Sequence, residues 1–235
     1  MTHRPRFNDD QFNQRVEDLL QNLESNYKAF IPTMVFDGPS LYFHLEALKT
    51  SDWERKLEMI YAVLVSWGMH RMGPKGAKMV GYKTFTDSLK DHHDKINEAS
   101  KWSISDVLND LHKWDIIINL FETINVMETN TRIVGNSKVL AHLLPNLISP
   151  IDRTYTFVFL RGNTNFQAAH ESWWFENITK KIFYPVAQDD KYKKFYGNLK
   201  NKSLWDTSPL KTIDNLIIGS ILNKRNGIVP LIEES

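Results

Sequence analysis

The sequence predicts an all-α protein, and three observations carry that expectation. Apolar residues recur at three- and four-residue intervals in one segment after another along the 235 residues. Glycine, proline and capping residues punctuate those segments. No alternation of period two is sustained long enough to make a sheet, although the apolar run Thr156 to Leu160 suits a strand as well as a helix. The expected organisation is one helical domain over residues 1–235, in which two lobes flank a cleft.

Taken in order, Asp9 or Asp10 can cap a first helix whose apolar face is Phe12, Val16, Leu19, Leu20 and Leu23. That helix should end near Phe30, ahead of Pro32. Gly38-Pro39-Ser40 breaks the chain before a short helix from Leu41 to Leu48. Ser51 or Asp52 caps the next, with Leu57, Ile60, Tyr61, Leu64 and Val65 facing a core. Gly68 to Lys78 reads as a loop. A polar helix over roughly Thr84 to Lys101 follows, and Ser103 or Ser105 opens another toward Met127, with room for a break. Asp152 starts a short apolar helix that stops at Arg161-Gly162-Asn163. A longer one spans about Asn165 to Ala187, and Ser208-Pro209 opens the last, with Leu210, Ile213, Leu216, Ile217 and Ile221 inward.

Composition narrows the function classes. The chain has no cysteine, which removes disulfides, thiolate zinc sites, iron–sulfur clusters and cysteine nucleophiles together. Formal net charge is +1, so any nucleic-acid surface must be a local patch. The start, Met1-Thr2-His3-Arg4-Pro5-Arg6, lacks the apolar core of a secretory signal. The longest apolar runs, Ile60 to Val65 and Ile116 to Phe121, are too short to span a bilayer. A cytoplasmic protein with no membrane association is expected.

The functional hint lies in residues 131–160. Gly135 permits a tight turn, Asn136 or Ser137 can cap the helix that follows, and Lys138 then falls in its first turn. Free backbone N–H groups and the helix dipole favour a phosphate there. The dipole also opposes protonation of a first-turn lysine, and partial burial acts in the same direction, making a usable nucleophile. Pro145 to Pro150 then deliver Asp152 to the start of the next helix, fourteen positions after the lysine. Amine and carboxylate brought together in this way suit imine chemistry at a sugar carbon. The same residues also fit a plain structural role as a solvated lysine and a capping aspartate.

Gly135-x-x-Lys138-Val139-x-Ala141, followed by Pro150-Ile151-Asp152-Arg153, resembles the helix-hairpin-helix core of base-excision DNA glycosylases, and in particular the bifunctional oxoguanine glycosylases. The stretch Ser137-Lys138-x-Leu140 with Pro150-Ile151-Asp152-Arg153-x-Tyr155-Thr156 also resembles a group of bacterial proteins of unassigned function. The first resemblance implies a glycine hairpin leading into a helix that carries a Schiff-base lysine, Lys138. It implies a catalytic carboxylate, Asp152, capping a later helix, and duplex DNA as partner. Gly135, Asn136, Ser137, His142 and Arg153 would contact that DNA, and no cofactor is called for. The absence of cysteine leaves only the cluster-free types.

Other segments offer less. Arg71, Lys75 and Lys78, interleaved with Gly73, Gly76 and Gly81, can bring cations and backbone to a phosphate, or simply form a flexible connection. Trp67, Met69, His70 and Met72 flank that loop, where an aromatic can stack on an extruded base or close a core. Lys191, Lys193, Lys194, Lys200 and Lys202, with Tyr192, Phe195, Tyr196 and Trp205 among them, suit a nucleic-acid backbone or a solvated helix face. His92-His93 point about 100° apart on a helix and make a poor ligand pair, so no metal site is expected. His142, four residues after Lys138, can tune it, contact DNA or pack, and Trp173-Trp174-Phe175 reads as core. A non-catalytic DNA- or partner-binding module, and an interaction protein with no nucleic acid, are the alternatives to an enzyme.

Overall fold

The computed structural model describes residues 7–34, 38–71, 78–165, 168–199 and 202–226. Among these residues every regular element is helical, and the only extended pairing is a single antiparallel bridge between Met79 and Met127. Among them, too, no helix is long and apolar enough to cross a membrane.

Capping explains most of the boundaries. Asn8 caps the Asp9–Gln21 helix in a reciprocal box with Gln11, so the cap lies one residue before Asp9 and two before Asp10, the two expected caps. The expected continuation to Phe30 is interrupted at Asn22, and Leu23–Phe30 forms a separate helix. Pro39–Lys49 opens with proline in its first turn, and Asp52 caps Trp53–Ser66 through the Arg55 amide. The expected polar helix divides into Tyr82–Lys90 and His93–Ala99. Ser103 and Asp106 form a second capping box before Ile104–Asn109, and Asp110 restarts the chain as Leu111–Thr123. The ambiguous run after Asp152 is helical: a five-residue π-helix, Arg153–Phe157, passes into Val158–Arg161, which Gly162 ends at φ +73°. A second π segment, Thr179–Phe183, joins Glu171–Ile178 to Tyr184–Gln188.

The buried side chains form one cluster that runs from Phe12 to Ile221. Its aromatics include Phe121 stacked on Phe175 at 4.0 Å, and Trp174 against Phe157 at 5.3 Å, so Trp174 and Phe175 are core as expected. The long Pro209–Asn226 helix lies against Leu23–Phe30, and the contact is close because Gly219 faces the Asn26 backbone. This helix and the Ile133–Leu143 helix bring the polar groups described next to one pocket.

Candidate functional site

The Ile133–Leu143 helix begins two residues before Gly135, so the expected glycine turn does not form. Gly135 is helical and buried; a Cβ there would lie 2.9 Å from Met127 Cγ, so the glycine serves close packing. Neither Asn136 nor Ser137 caps the helix. Asn136 is buried and donates to the carbonyls of Phe121 and Ile124 at 2.8 and 3.0 Å. The cap comes from far along the chain: Glu171 Oε2 accepts the Arg132 amide at 2.6 Å. Burial pushes the Glu171 carboxyl above its ordinary value, against the pull of the Arg132 and Ile133 amides. A protein carboxylate thus occupies the end of the helix where a phosphate was expected.

Lys138 is consequently in the second turn rather than the first. It projects beside Asp152, its Nζ donating to Asp152 Oδ2 at 3.1 Å, with 14% and 28% of the two side chains exposed. Fourteen residues of chain close on this pair because Ser137 Oγ accepts the Ile151 amide at 3.0 Å. The neighbouring residues 137 and 151 therefore set the register in which 138 and 152 meet. Asp152 Oδ1 accepts the Thr154 and Tyr155 amides, and its own amide donates to the buried Thr156 hydroxyl at 3.0 Å. Burial acts to raise the Asp152 carboxyl, but the Lys138 charge and these hydrogen bonds outweigh it and hold it below its ordinary value. The carboxylate is therefore ionised at neutral pH.

The pair opens on a pocket of about 250 Å³. Trp67, Tyr155 and Trp205 give it aromatic walls, and Lys138 Nζ lies 5.2 Å from the centre of the Trp67 ring. Lys211, Asp214 and Asn215 also line it, from one stripe of the Pro209–Asn226 helix. Sequence reasoning missed these three because Leu210, Ile213 and Ile217 dominate that segment. The signal was present in the i, i+3, i+4 spacing of the polar residues.

Behind the pocket sits a histidine pair that the sequence did not announce. His142 Nδ1 lies 2.7 Å from the Lys138 carbonyl and must donate to it, which leaves Nε2 to accept from His44 Nδ1 at 2.9 Å. His44 Nε2 then accepts the Thr207 hydroxyl at 3.1 Å. Burial lowers His142 to about 4 and His44 to about 2, the latter with help from the charges of His142 and Lys211. Both rings are neutral packing groups at pH 7, and His142, being 3% exposed, is not placed to touch DNA.

The remaining expected contacts are scattered. Arg153 is exposed and its guanidinium donates to the Thr164 carbonyl. Arg71 is exposed and donates to the neighbouring His70 ring; Lys78 is exposed; Lys75 and Lys200 lie outside the described residues. Of the aromatic residues in the basic run, Tyr192 and Phe195 are buried, Lys202 lies over the Tyr196 ring, and Trp205 belongs to the pocket wall. Among the described residues no three His, Asp or Glu side chains converge as a metal site would require.

No known protein family, characterised protein or solved structure matches this chain.

Proposed function

We propose that the chain is a base-excision DNA glycosylase with lyase activity, centred on the Lys138–Asp152 pair. The observation that carries this reading is the 3.1 Å contact between an amine and an ionised carboxylate at the mouth of an aromatic-walled pocket. Such walls suit a flipped base, which stacks on aromatic rings while its sugar is presented to the lysine.

In the reaction, the Lys138 ammonium first gives up a proton to solvent; the free amine nitrogen then bonds to C1′ as the glycosidic bond breaks, and the electron pair leaves with the base. The proton lost by the amine goes to the departing base. Opening of the C1′–O4′ bond, with protonation of O4′, gives the imine. Loss of a C2′ proton then expels the 3′-phosphate as the strand is cut. Asp152 acts through charge: an ionised carboxylate beside C1′ stabilises the positive sugar-like transition state, and it orients the amine.

The test is borohydride trapping on duplexes carrying an abasic site, oxoguanine or uracil, with Lys138→Gln as control. A covalent adduct that the substitution abolishes supports the enzyme. One observation favours a second reading, an interaction protein that binds no nucleic acid: Glu171 fills the helix end that would hold a phosphate. That reading predicts neither an adduct nor salt-dependent DNA binding.

A further inference from the structure

The reaction just described uses Lys138 and Asp152 and leaves a second ion pair in the same pocket without a role. Lys211 Nζ donates to Asp214 Oδ2 at 2.7 Å and to Asn215 Oδ1 at 2.6 Å, with 13% and 7% of the two charged side chains exposed. Asn215 is fully buried and fixed from behind: its Nδ2 donates to Asp206 Oδ1 at 2.8 Å and to the Trp205 carbonyl at 3.3 Å. Asp206 in turn accepts the Ser203 amide and the Tyr27 hydroxyl. The pair is thus held by an outer layer of hydrogen bonds, the arrangement that makes a recognition group rigid.

Stability does not account for it. A buried ion pair is often replaceable by apolar residues without loss, because desolvation offsets the attraction. Its placement on the pocket wall does account for it. An ammonium has three donors, of which Asp214 and Asn215 take two. One donor therefore remains beside a carboxylate acceptor.

We infer that Lys211 and Asp214 recognise the base, and that the pocket takes bases with a lactam edge, a carbonyl beside a ring N–H. This rests on the proposed glycosylase reading. Uracil, hypoxanthine, guanine and oxoguanine carry that edge; adenine and cytosine present an amino group beside a bare ring nitrogen. Chemistry sets the order of the contacts. The electron pair of the breaking glycosidic bond spreads onto the lactam oxygen, where the Lys211 ammonium meets it, and Asp214 accepts from the adjacent ring N–H.

The experiment is equilibrium binding of deoxynucleosides to the whole protein, read by tryptophan fluorescence, with Trp67→Phe assigning the signal to the pocket. Deoxyuridine and deoxyinosine should bind at least about tenfold tighter than deoxyadenosine and deoxycytidine, as expected where a site is built to hydrogen-bond its ligand. Lys211→Met should erase that preference and Lys211→Arg retain part of it. Equal affinities, no binding by the wild-type protein, or a preference that survives Lys211→Met would overturn the inference. The wild-type series decides even if a variant fails to fold. Abasic-site trapping involves no base and, with Lys138→Gln as control, tests the nucleophile and not base recognition, so the two proposals fail separately.

Discussion

Ser137 and Ile151 are joined by a hydrogen bond from the Ile151 amide to Ser137 Oγ, and this bond places Lys138 against Asp152. The bond is buried and shares its register with the ion pair one residue further along each strand of the connection. A packing contact and a reactive contact are therefore parts of one local geometry.

Ser137→Ala strands a buried N–H group, and should destabilise the protein by about 1–3 kcal/mol. Urea unfolding measures that loss. If the Ser137 bond also aligns the reactive pair, borohydride trapping should fall well beyond the fraction unfolded.

The two tightly packed glycines should behave differently. A Cβ at Gly219 would sit 1.9 Å from the Asn26 carbonyl oxygen, a backbone atom that cannot swing aside. Gly219→Ala should therefore cost about 3 kcal/mol or more. At Gly135 the nearest atoms belong to the flexible Met127 side chain, so Gly135→Ala should stay within about 2 kcal/mol of wild type in thermal or urea melts. Because Gly135 is buried, the same variant should leave the salt dependence of any DNA binding unchanged.

Glu171 caps the helix that carries Lys138. Glu171→Ala removes the acceptor of the Arg132 amide and should cost about 1–2 kcal/mol. Glu171→Gln keeps an acceptor and removes a buried charge, so its unfolding midpoint should lie close to wild type.

The histidine pair makes the fold sensitive to mild acid. Burial holds His142 near 4 against an ordinary 6.5, so between those values the unfolded chain binds more protons than the native one. His142's contribution is nearly complete at pH 7 and is lost as pH falls toward 4, by about 2 kcal/mol between pH 7 and 5 for His142 alone. His44 adds to the loss in the same direction. Urea midpoints at pH 7 and pH 5 should separate in the wild type, and the separation should shrink in His44→Phe/His142→Leu.

The all-helical class was legible because apolar periodicity is a local signal, and so was the Asp52 cap. The encounter of Lys138 with Asp152 was legible from a short connector between two helices. The start of the Ile133–Leu143 helix was not. Gly-Asn-Ser has the chemistry of a helix entrance, yet Glu171, thirty-nine residues beyond Arg132, supplies the cap and the three residues are packed inside. The His44–His142 contact spans ninety-eight residues and leaves no mark on either neighbourhood. Lys211, Asp214 and Asn215 did leave one, a polar stripe within an apolar helix. The burial that gives the stripe meaning comes from Trp205 and the central connector.

The proposed reaction needs the Lys138 amine, and Lys211 lines the same pocket. Mass spectrometric mapping of a borohydride-trapped adduct, formed on a duplex with an abasic site, identifies that amine directly. With Lys138 as the nucleophile, the added mass falls on Lys138 and tryptic cleavage after that residue is blocked. An adduct on Lys211, or no adduct on any lysine, would contradict it.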